Sequence, residues 1–326
     1  MSNWKKYLNY DPIPHLLLTK SKELQYVINK DLLEKEVENI EFLWNLENAH
    51  RILKKQRENG AWKYPGGKKD IHTQENYNQL ETYRQFGLLV ELHKFNILHP
   101  SMKKAAEYLF SFQTDEGDFR GIYGTQYSPN YSAGIIELLI KAGYEKDQRT
   151  EKCLKWLLSM RQDDGGWVIP IQTYKIKWED AVTSEEILQP IKNKPFSYMV
   201  TGIVLRAFAA HSIYRRKTEI KLAGELLLSR FFERDNYSAR GDKSYWTKFT
   251  FPFWFTDLLS SLDSLFYLGF TISHTQIRKA LDWFKFNQKE DGSWDLKLLK
   301  GAQIKDYKLW IAYLICMNFK RYLIEF

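Results

Sequence analysis

Gln162-Asp163-Asp164-Gly165-Gly166-Trp167 is the stretch on which the fold turns, because it recurs. The same element reads Gln56-Arg57-Glu58-Asn59-Gly60-Ala61-Trp62, Gln113-Thr114-Asp115-Glu116-Gly117-Asp118-Phe119 and Gln288-Lys289-Glu290-Asp291-Gly292-Ser293-Trp294. The Gln-to-Gln spacings are 57, 49 and 126, and 126 is twice 63. A degenerate copy is therefore expected midway. Arg234-Asp235 followed by Gly241 to Trp246 lies there without its Gln. A fixed internal period marks a repeat architecture.

Working outward, each copy follows an amphipathic helical pattern. Ala105, Ala106, Leu109 and Phe110 precede the second; Cys153, Leu154, Trp156, Leu157 and Leu158 the third; Ala280, Leu281, Trp283 and Phe284 the last. Apolar residues at these spacings share one helical face. The Gly that follows ends the helix, since it adopts the left-handed conformation without steric cost. After each turn comes a second, more apolar helix, expected over 75–95, 130–143, 198–214, 256–269 and 307–322. Gly143 and Gly269 are expected C-caps. Helices apolar nearly all round suit an inner layer. The unit is helix, Gly-aromatic turn, helix, and hairpins of this kind stack into a solenoid or close into a ring.

Composition narrows the class. The 326 residues are 44% hydrophobic and 27% charged, a globular balance. Aromatics reach 16%, enough for a large buried aromatic surface or an aromatic-lined cavity. The net charge of +8 is spread along the chain, which gives mild attraction for anions and no nucleic-acid tail. Two cysteines, Cys153 and Cys316, exclude a disulfide scaffold and a four-cysteine zinc site and read as core thiols. Met1 to Tyr10 has no apolar signal region, and no run is long enough to span a membrane. A cytoplasmic protein is expected.

The Gln-x-x-x-Gly-x-Trp element after an amphipathic helix resembles the QW repeat of squalene and oxidosqualene cyclases, and related repeats occur in protein prenyltransferase β subunits. The resemblance covers roughly residues 41–322; Gln113–Phe119 carries Phe in place of Trp. It implies an all-α fold: a single α/α toroid of five to six helical hairpins with QW-type turns. Residues 1–40 are then a helical segment packed on the ring, and 41–326 the toroid, with an insertion at 168–196. Within that insertion, Ser184-Glu185-Glu186-Ile187-Leu188 reads as a short helix, and the stretch as a lid or a surface excursion.

The family's chemical motifs are missing. There is no Asp-x-Asp-Asp, no Asp-Asp-x-x-Asp and no Asp-x-Cys with a partner His. The reading therefore calls for no metal and no cofactor, and zinc-dependent protein prenylation is disfavoured. One segment stands out: Tyr245 to Asp257, rich in aromatics and ending in an acid. Aromatic faces stabilise cations without offering a nucleophile. Asp257 is the candidate catalytic acid, with Thr256 the expected N-cap of its helix. Asp257, Ser261 and Ser264 form one polar stripe, and Asp263 points elsewhere. Candidate substrate-binding residues are Trp246, Phe249, Phe253, Trp254 and Phe255 from this segment. Tyr77, Glu81, Arg84, Tyr127, Tyr131, Tyr198 and Trp310 join them from the starts of the other inner helices. Helix-end and core roles for the same residues are the competing reading.

Three functions follow. The first is a terpenoid-cyclase-like enzyme that binds an apolar isoprenoid in a central aromatic cavity and cyclises or isomerises it with acid from Asp257. The second is a non-catalytic toroid that binds a lipid, cofactor or peptide. The third is a zinc-independent prenyltransferase-like protein. The expected partner is an apolar, isoprenoid-like small molecule, with no nucleic acid. The reading also allows peripheral membrane contact and a partner subunit that closes the cavity.

Overall fold

The computed structural model describes residues 3–67, 71–237, 240–299 and 306–323. In chain order its helices are α1 (Ile13–Leu16), α2 (Lys22–Val27, continued by a π-turn at Ile28–Leu32), α3 (Glu41–Trp44), α4 (Glu47–Leu53) and α5 (Gln74–His93). They continue with α6 (Pro100–Phe110), α7 (Pro129–Leu139, continued by Ile140–Tyr144), α8 (Gln148–Ser159), α9 (Trp178–Thr183) and α10 (Tyr198–Ala210). Last come α11 (Thr218–Leu228), α12 (Leu258–Tyr267), α13 (Thr275–Phe286) and α14 (Tyr307–Leu323). The described strands, Lys248–Phe249 and Lys297–Leu298, form one short parallel pair. The chain is mostly helical.

The expected inner helices correspond to α5, α7, α10, α12 and α14. Local signals set their ends. The Thr73 hydroxyl accepts from the Asn76 N–H and Ser197 from Val200, which satisfies donors at each N-terminus that have no partner in the helix. Gly143 (φ 103°) and Gly269 (φ 87°) end α7 and α12. Every residue from Tyr198 to Ala209 is buried. In sequence order α5 packs on α7, α7 on α10, α10 on α12 and α12 on α14. Helix α14 then meets α1 and the π-turn after α2, while α2 meets α5, so the path of contacts returns to its start.

The repeated turns make one set of bonds. Trp62, Trp167 and Trp294 each donate the indole N–H to the carbonyl ten residues back, at Ile52, Leu157 and Phe284. Gln56 donates to Gly60 O and to Ser101 O; Gln113 donates to Gly117 O and to Arg149 O. Whereas Gln162 donates to Ile191 O and Lys194 O within the insertion, Gln56 and Gln113 thus fasten their turns to the start of the next outer helix. Gln288 does the same across the whole chain: its amide donates to Tyr10 O at 2.9 Å and accepts from the backbone of Asn9 and Tyr10. The glycines are required twice over. Gly60 has φ 89°, and a Cβ there would lie 2.2 Å from Lys104 O. Gly292 has φ 80°, and a Cβ would lie 2.4 Å from Asp11 O. In the degenerate copy Trp246 donates to Glu233 O, and the Asp235 carboxylate accepts from Ser197 Oγ and the Met199 N–H at the start of α10.

A further partner of the turn was not read from sequence. The backbone N–H of Trp62, Phe119 and Trp167 donates to Thr82, Ser132 and Thr201, hydroxyls on the inner helices.

The insertion differs from expectation. Its helix is α9, and Ser184–Leu188 is irregular, with a bend at Glu185 and Glu186. Gln126 bonds to this stretch twice, donating to Glu186 O and accepting from the Leu188 N–H. Trp178 of α9 stands edge-on to Tyr123 at 4.5 Å.

Candidate functional site

The inner helices line two cavities at their opposite ends. The first, about 670 Å³, lies among the N-terminal halves of α5, α7 and α10. Its walls are Tyr83, Tyr123, Tyr131, Trp254 and Phe255, and its cations are Arg84 and Arg240. We call it the aromatic lobe. Tyr83 meets Trp254 at 5.1 Å and Tyr131 at 6.1 Å, both edge-to-face, the arrangement that ring quadrupoles favour. The Arg240 guanidinium lies 3.4 Å from the Phe255 ring centre. Burial lowers the pKa of Arg240, and among the described residues no carboxylate forms an ion pair with it. Ile169 and Gln172 of the insertion close one side.

The second cavity, about 550 Å³, lies at the C-terminal ends of the inner helices. Phe251, Phe253 and Trp310 supply apolar wall, and ten charged side chains share the lining. We call it the charged lobe. Buried Arg206 on α10 donates to Glu137 Oε2 at 3.0 Å, to Phe253 O at 2.6 Å and to Phe255 O at 3.3 Å. Lys141 bridges Glu137 (2.8 Å) and Glu91 (2.6 Å). The attraction of Lys141 and Arg206 outweighs burial and holds the Glu137 carboxyl below the usual range. Arg206 thereby fixes the strip 253–255, which puts Phe253 in the charged lobe and Trp254 and Phe255 in the aromatic one. A third cavity, about 940 Å³, shares Glu81, Gln85 and Leu88 with the aromatic lobe and Trp310 with the charged lobe.

The sequence-predicted residues divide accordingly. Glu81, Arg84, Tyr131, Trp254 and Phe255 come together in the aromatic lobe, and Phe253 and Trp310 line the charged lobe. The others lie outside these cavities. Trp246 and Tyr198 stack on each other at 4.2 Å, because Trp246 is the indole of the degenerate turn. Phe249 packs on Phe284 at 5.5 Å, between strand and α13. Tyr127 sits in the outer layer, its hydroxyl on Glu116 at 2.7 Å and its ring beside Trp156. Tyr77 stacks on Tyr64 at 5.3 Å.

Asp257 is buried and lines none of the three cavities. It is itself the N-cap of α12: Oδ1 accepts from the Ser260 N–H at 2.7 Å, and Ser260 Oγ accepts from the Asp257 N–H at 3.0 Å. Thr256, expected as the cap, instead donates to Met199 O at 2.6 Å, since an adjacent Gly202 lets the loop touch α10. Asp257 Oδ2 is buried without a hydrogen-bond partner, as is Ser261 Oγ. Burial pushes the Asp257 carboxyl up to about 7, although Ser260 and Arg206 act against it. Asp263 points away from Asp257: with Ser264 and Tyr267 it lines the charged lobe, and it pairs with Arg321. Both cysteines are buried free thiols. Among the described residues no helix is long and apolar enough to cross a membrane.

Sequence reasoning missed Arg206, Glu137, Lys141 and Arg240. Arg206 carried a signal: it is the lone charge in Tyr198–Ala210, YMVTGIVLRAFAA. A single cation in an otherwise apolar inner helix must be paired.

No family model matches the chain. Over 83 residues it is 26% identical to a squalene–hopene cyclase of Zymomonas mobilis, a match that takes in 26% of this chain and 13% of that protein. The chain thus matches only about an eighth of that relative's length. Among solved structures it is similar to a polysaccharide lyase, with a TM-score of 0.43, 13% identity and 86% of each chain covered. It is also similar to the type II terpene cyclase MstE from Scytonema, with a TM-score of 0.34, 10% identity, and 86% of this chain and 97% of that one covered.

Proposed function

We propose that the protein is a single α/α toroid of the terpenoid-cyclase kind whose lumen binds an apolar, isoprenoid-like small molecule. The observation that supports this most is the aromatic lobe. Five aromatic side chains wall a cavity of about 670 Å³ into which Glu81, Arg84, Asn130 and Arg240 bring polar groups, a combination of apolar wall and orienting polar groups that suits a small-molecule pocket. The return of the helix contacts to their start and the Gln288 clamp on Tyr10 support the toroid. In this reading Trp254, Phe255 and Tyr131 hold the apolar body, and Glu81 and Arg84 border it on α5. Binding without turnover is the simplest form of the function, because the lobe's one carboxylate among the described residues, Glu81, accepts from Gln85 at 2.6 Å and pairs with Arg84.

Acid-initiated cyclisation is a second reading, and one observation favours it. Asp257 keeps an unpartnered oxygen and a carboxyl near neutrality, the state that a proton donor needs. The test is mass spectrometry of the protein incubated with squalene, linear polyprenyl alcohols and polyprenyl diphosphates, with Trp254→Ala and Asp257→Asn in parallel. Retention of unchanged ligand that Trp254→Ala abolishes supports binding. A cyclised or isomerised product that Asp257→Asn abolishes establishes the enzyme. No retention of any of them overturns both readings.

A further inference from the structure

The charged lobe has an imbalance in its accounting. Its four carboxylates are all engaged: Glu91 and Glu137 by Lys141, Glu137 also by Arg206, Asp263 by Arg321, and Asp31 by the Tyr313 hydroxyl at 2.6 Å. Its six cations are not. Lys141, Arg206 and Arg321 are spent on those acids, whereas Lys30, Lys94 and Arg215 have no carboxylate at salt-bridge distance among the described residues. Lys94 gives one N–H to Glu91 O at 2.8 Å, which leaves two donors of its ammonium. Lys30 lies at the mouth, 5.9 Å from the Tyr26 ring.

Lys94 is also held in an uncommon backbone state. It is the C-cap of α5 at φ 55°, ψ 30°, a left-handed conformation that a residue other than glycine rarely adopts. There its side chain projects into the lobe instead of continuing the helix surface. Burial lowers its pKa, the sign of a cation that lacks full compensation. The inner helices also turn their negative dipole ends toward this lobe, so some cationic excess is spent on helix carbonyls. Three uncommitted cations around one cavity exceed that need.

We propose that the charged lobe is a binding site for a compact anion, a phosphate or a carboxylate, seated by Lys94 and Arg215 with Lys30 at the mouth. The inference is independent of what the aromatic lobe binds. Charge-assisted bonds from ammonium and guanidinium groups are the recognition expected for such oxyanions.

The test uses the full chain at fixed ionic strength, with chloride as the reference. Calorimetry and thermal shift are recorded with inorganic phosphate, pyrophosphate and citrate, and with decyl phosphate. The expected result is saturable binding that Lys94→Met or Arg215→Gln weakens about tenfold, while the exposed Lys155→Ala does not change it. Arg215→Gln, in the short 3-10 helix Tyr214–Arg216, keeps the test valid if Lys94→Met folds poorly. Tighter binding of decyl phosphate than of inorganic phosphate assigns the anion to a ligand that also occupies apolar wall; equal binding assigns it to a free anion; either supports the site. No saturable binding, or equal binding by wild type and both lobe variants, overturns it and leaves these cations to the helix ends alone.

Discussion

Trp254 rests directly on Gly87: a Cβ at Gly87 would come within 2.7 Å of Trp254 Cη2 and 3.1 Å of Leu138 Cδ1. The missing side chain on α5 is what lets the tip of the indole approach that helix and form the wall of the aromatic lobe. Gly87→Ala sets two effects against each other. Alanine favours a helix interior by about 1 kcal/mol, yet its methyl occupies the indole's place. Stability is expected to change by less than about 1 kcal/mol, while Trp254 swings into the lobe. Denaturant melts and ligand titration, read by tryptophan fluorescence, check this. Retained ligand affinity in Gly87→Ala would show that Trp254 does not shape the pocket.

Asp257 makes stability depend on pH in a definite direction. Its carboxyl, up to about 7 in the folded chain, titrates near 4 when unfolded. The folded state therefore prefers the protonated form. The stabilisation is fully present below about pH 4 and is lost as pH rises toward 7, at up to about 1.4 kcal/mol per pH unit. Asparagine keeps the cap on Ser260 and has no charge to bury. Asp257→Asn is expected to match wild type near pH 4 and to exceed it by about 2–4 kcal/mol at pH 8. Parallel pH profiles for the two proteins would show that the carboxyl is not buried as described.

Arg206 holds three groups at once, Glu137 and the carbonyls of Phe253 and Phe255. Arg206→Met leaves these buried acceptors short of donors and is expected to cost about 3–5 kcal/mol. Arg206→Lys is expected to recover little, because an ammonium cannot reproduce the planar fork. Chemical denaturation gives both values. A lysine variant as stable as wild type would mean that charge alone, without geometry, holds the 253–255 strip.

Gln288 and Gln113 have the same role at different separations. Gln288 makes bonds to Asn9 and Tyr10 that join parts of the chain 278 residues apart. Replacing it by alanine removes a cluster of buried hydrogen bonds and is expected to cost about 2–3 kcal/mol. Hydrogen exchange is expected to show the added opening at the 3-10 helix Asn3–Tyr7 and α1 first, with α7 and α10 unaffected. Uniform loosening throughout would contradict a local seam.

The fold was legible because its signals are local and repeated. Gln, Gly and Trp in fixed order specify the turn, and the expected inner helices fall within a few residues of α5, α7, α10, α12 and α14. The degenerate copy was legible from spacing alone. The site was less so. Trp246 and Trp254 sit eight residues apart in one aromatic run, yet one belongs to a turn and the other to a cavity. Composition does not separate those duties, because both demand a large apolar side chain. Arg206 escaped notice because its partners, Glu137 and the 253 and 255 carbonyls, are brought to it only by the packing of α10 on α7 and α12. The hydroxyls of Thr82, Ser132 and Thr201 were invisible for a similar reason: their distances from the aromatic residue they serve, 20, 13 and 34 positions, share no period.

The Gln288 contact with Tyr10 also bears on how the chain folds. In an open stack of hairpins each unit touches only its neighbours, and the two end units need dedicated polar caps. Here the last turn is bonded to the N-terminal segment at Asn9 and Tyr10, so each covers the other. The saving has a kinetic counterpart. Joining points 278 residues apart costs roughly 5 kcal/mol of chain entropy, which no single hydrogen bond repays. The seam is therefore expected to close last, after the stacked hairpins have already brought its two sides together.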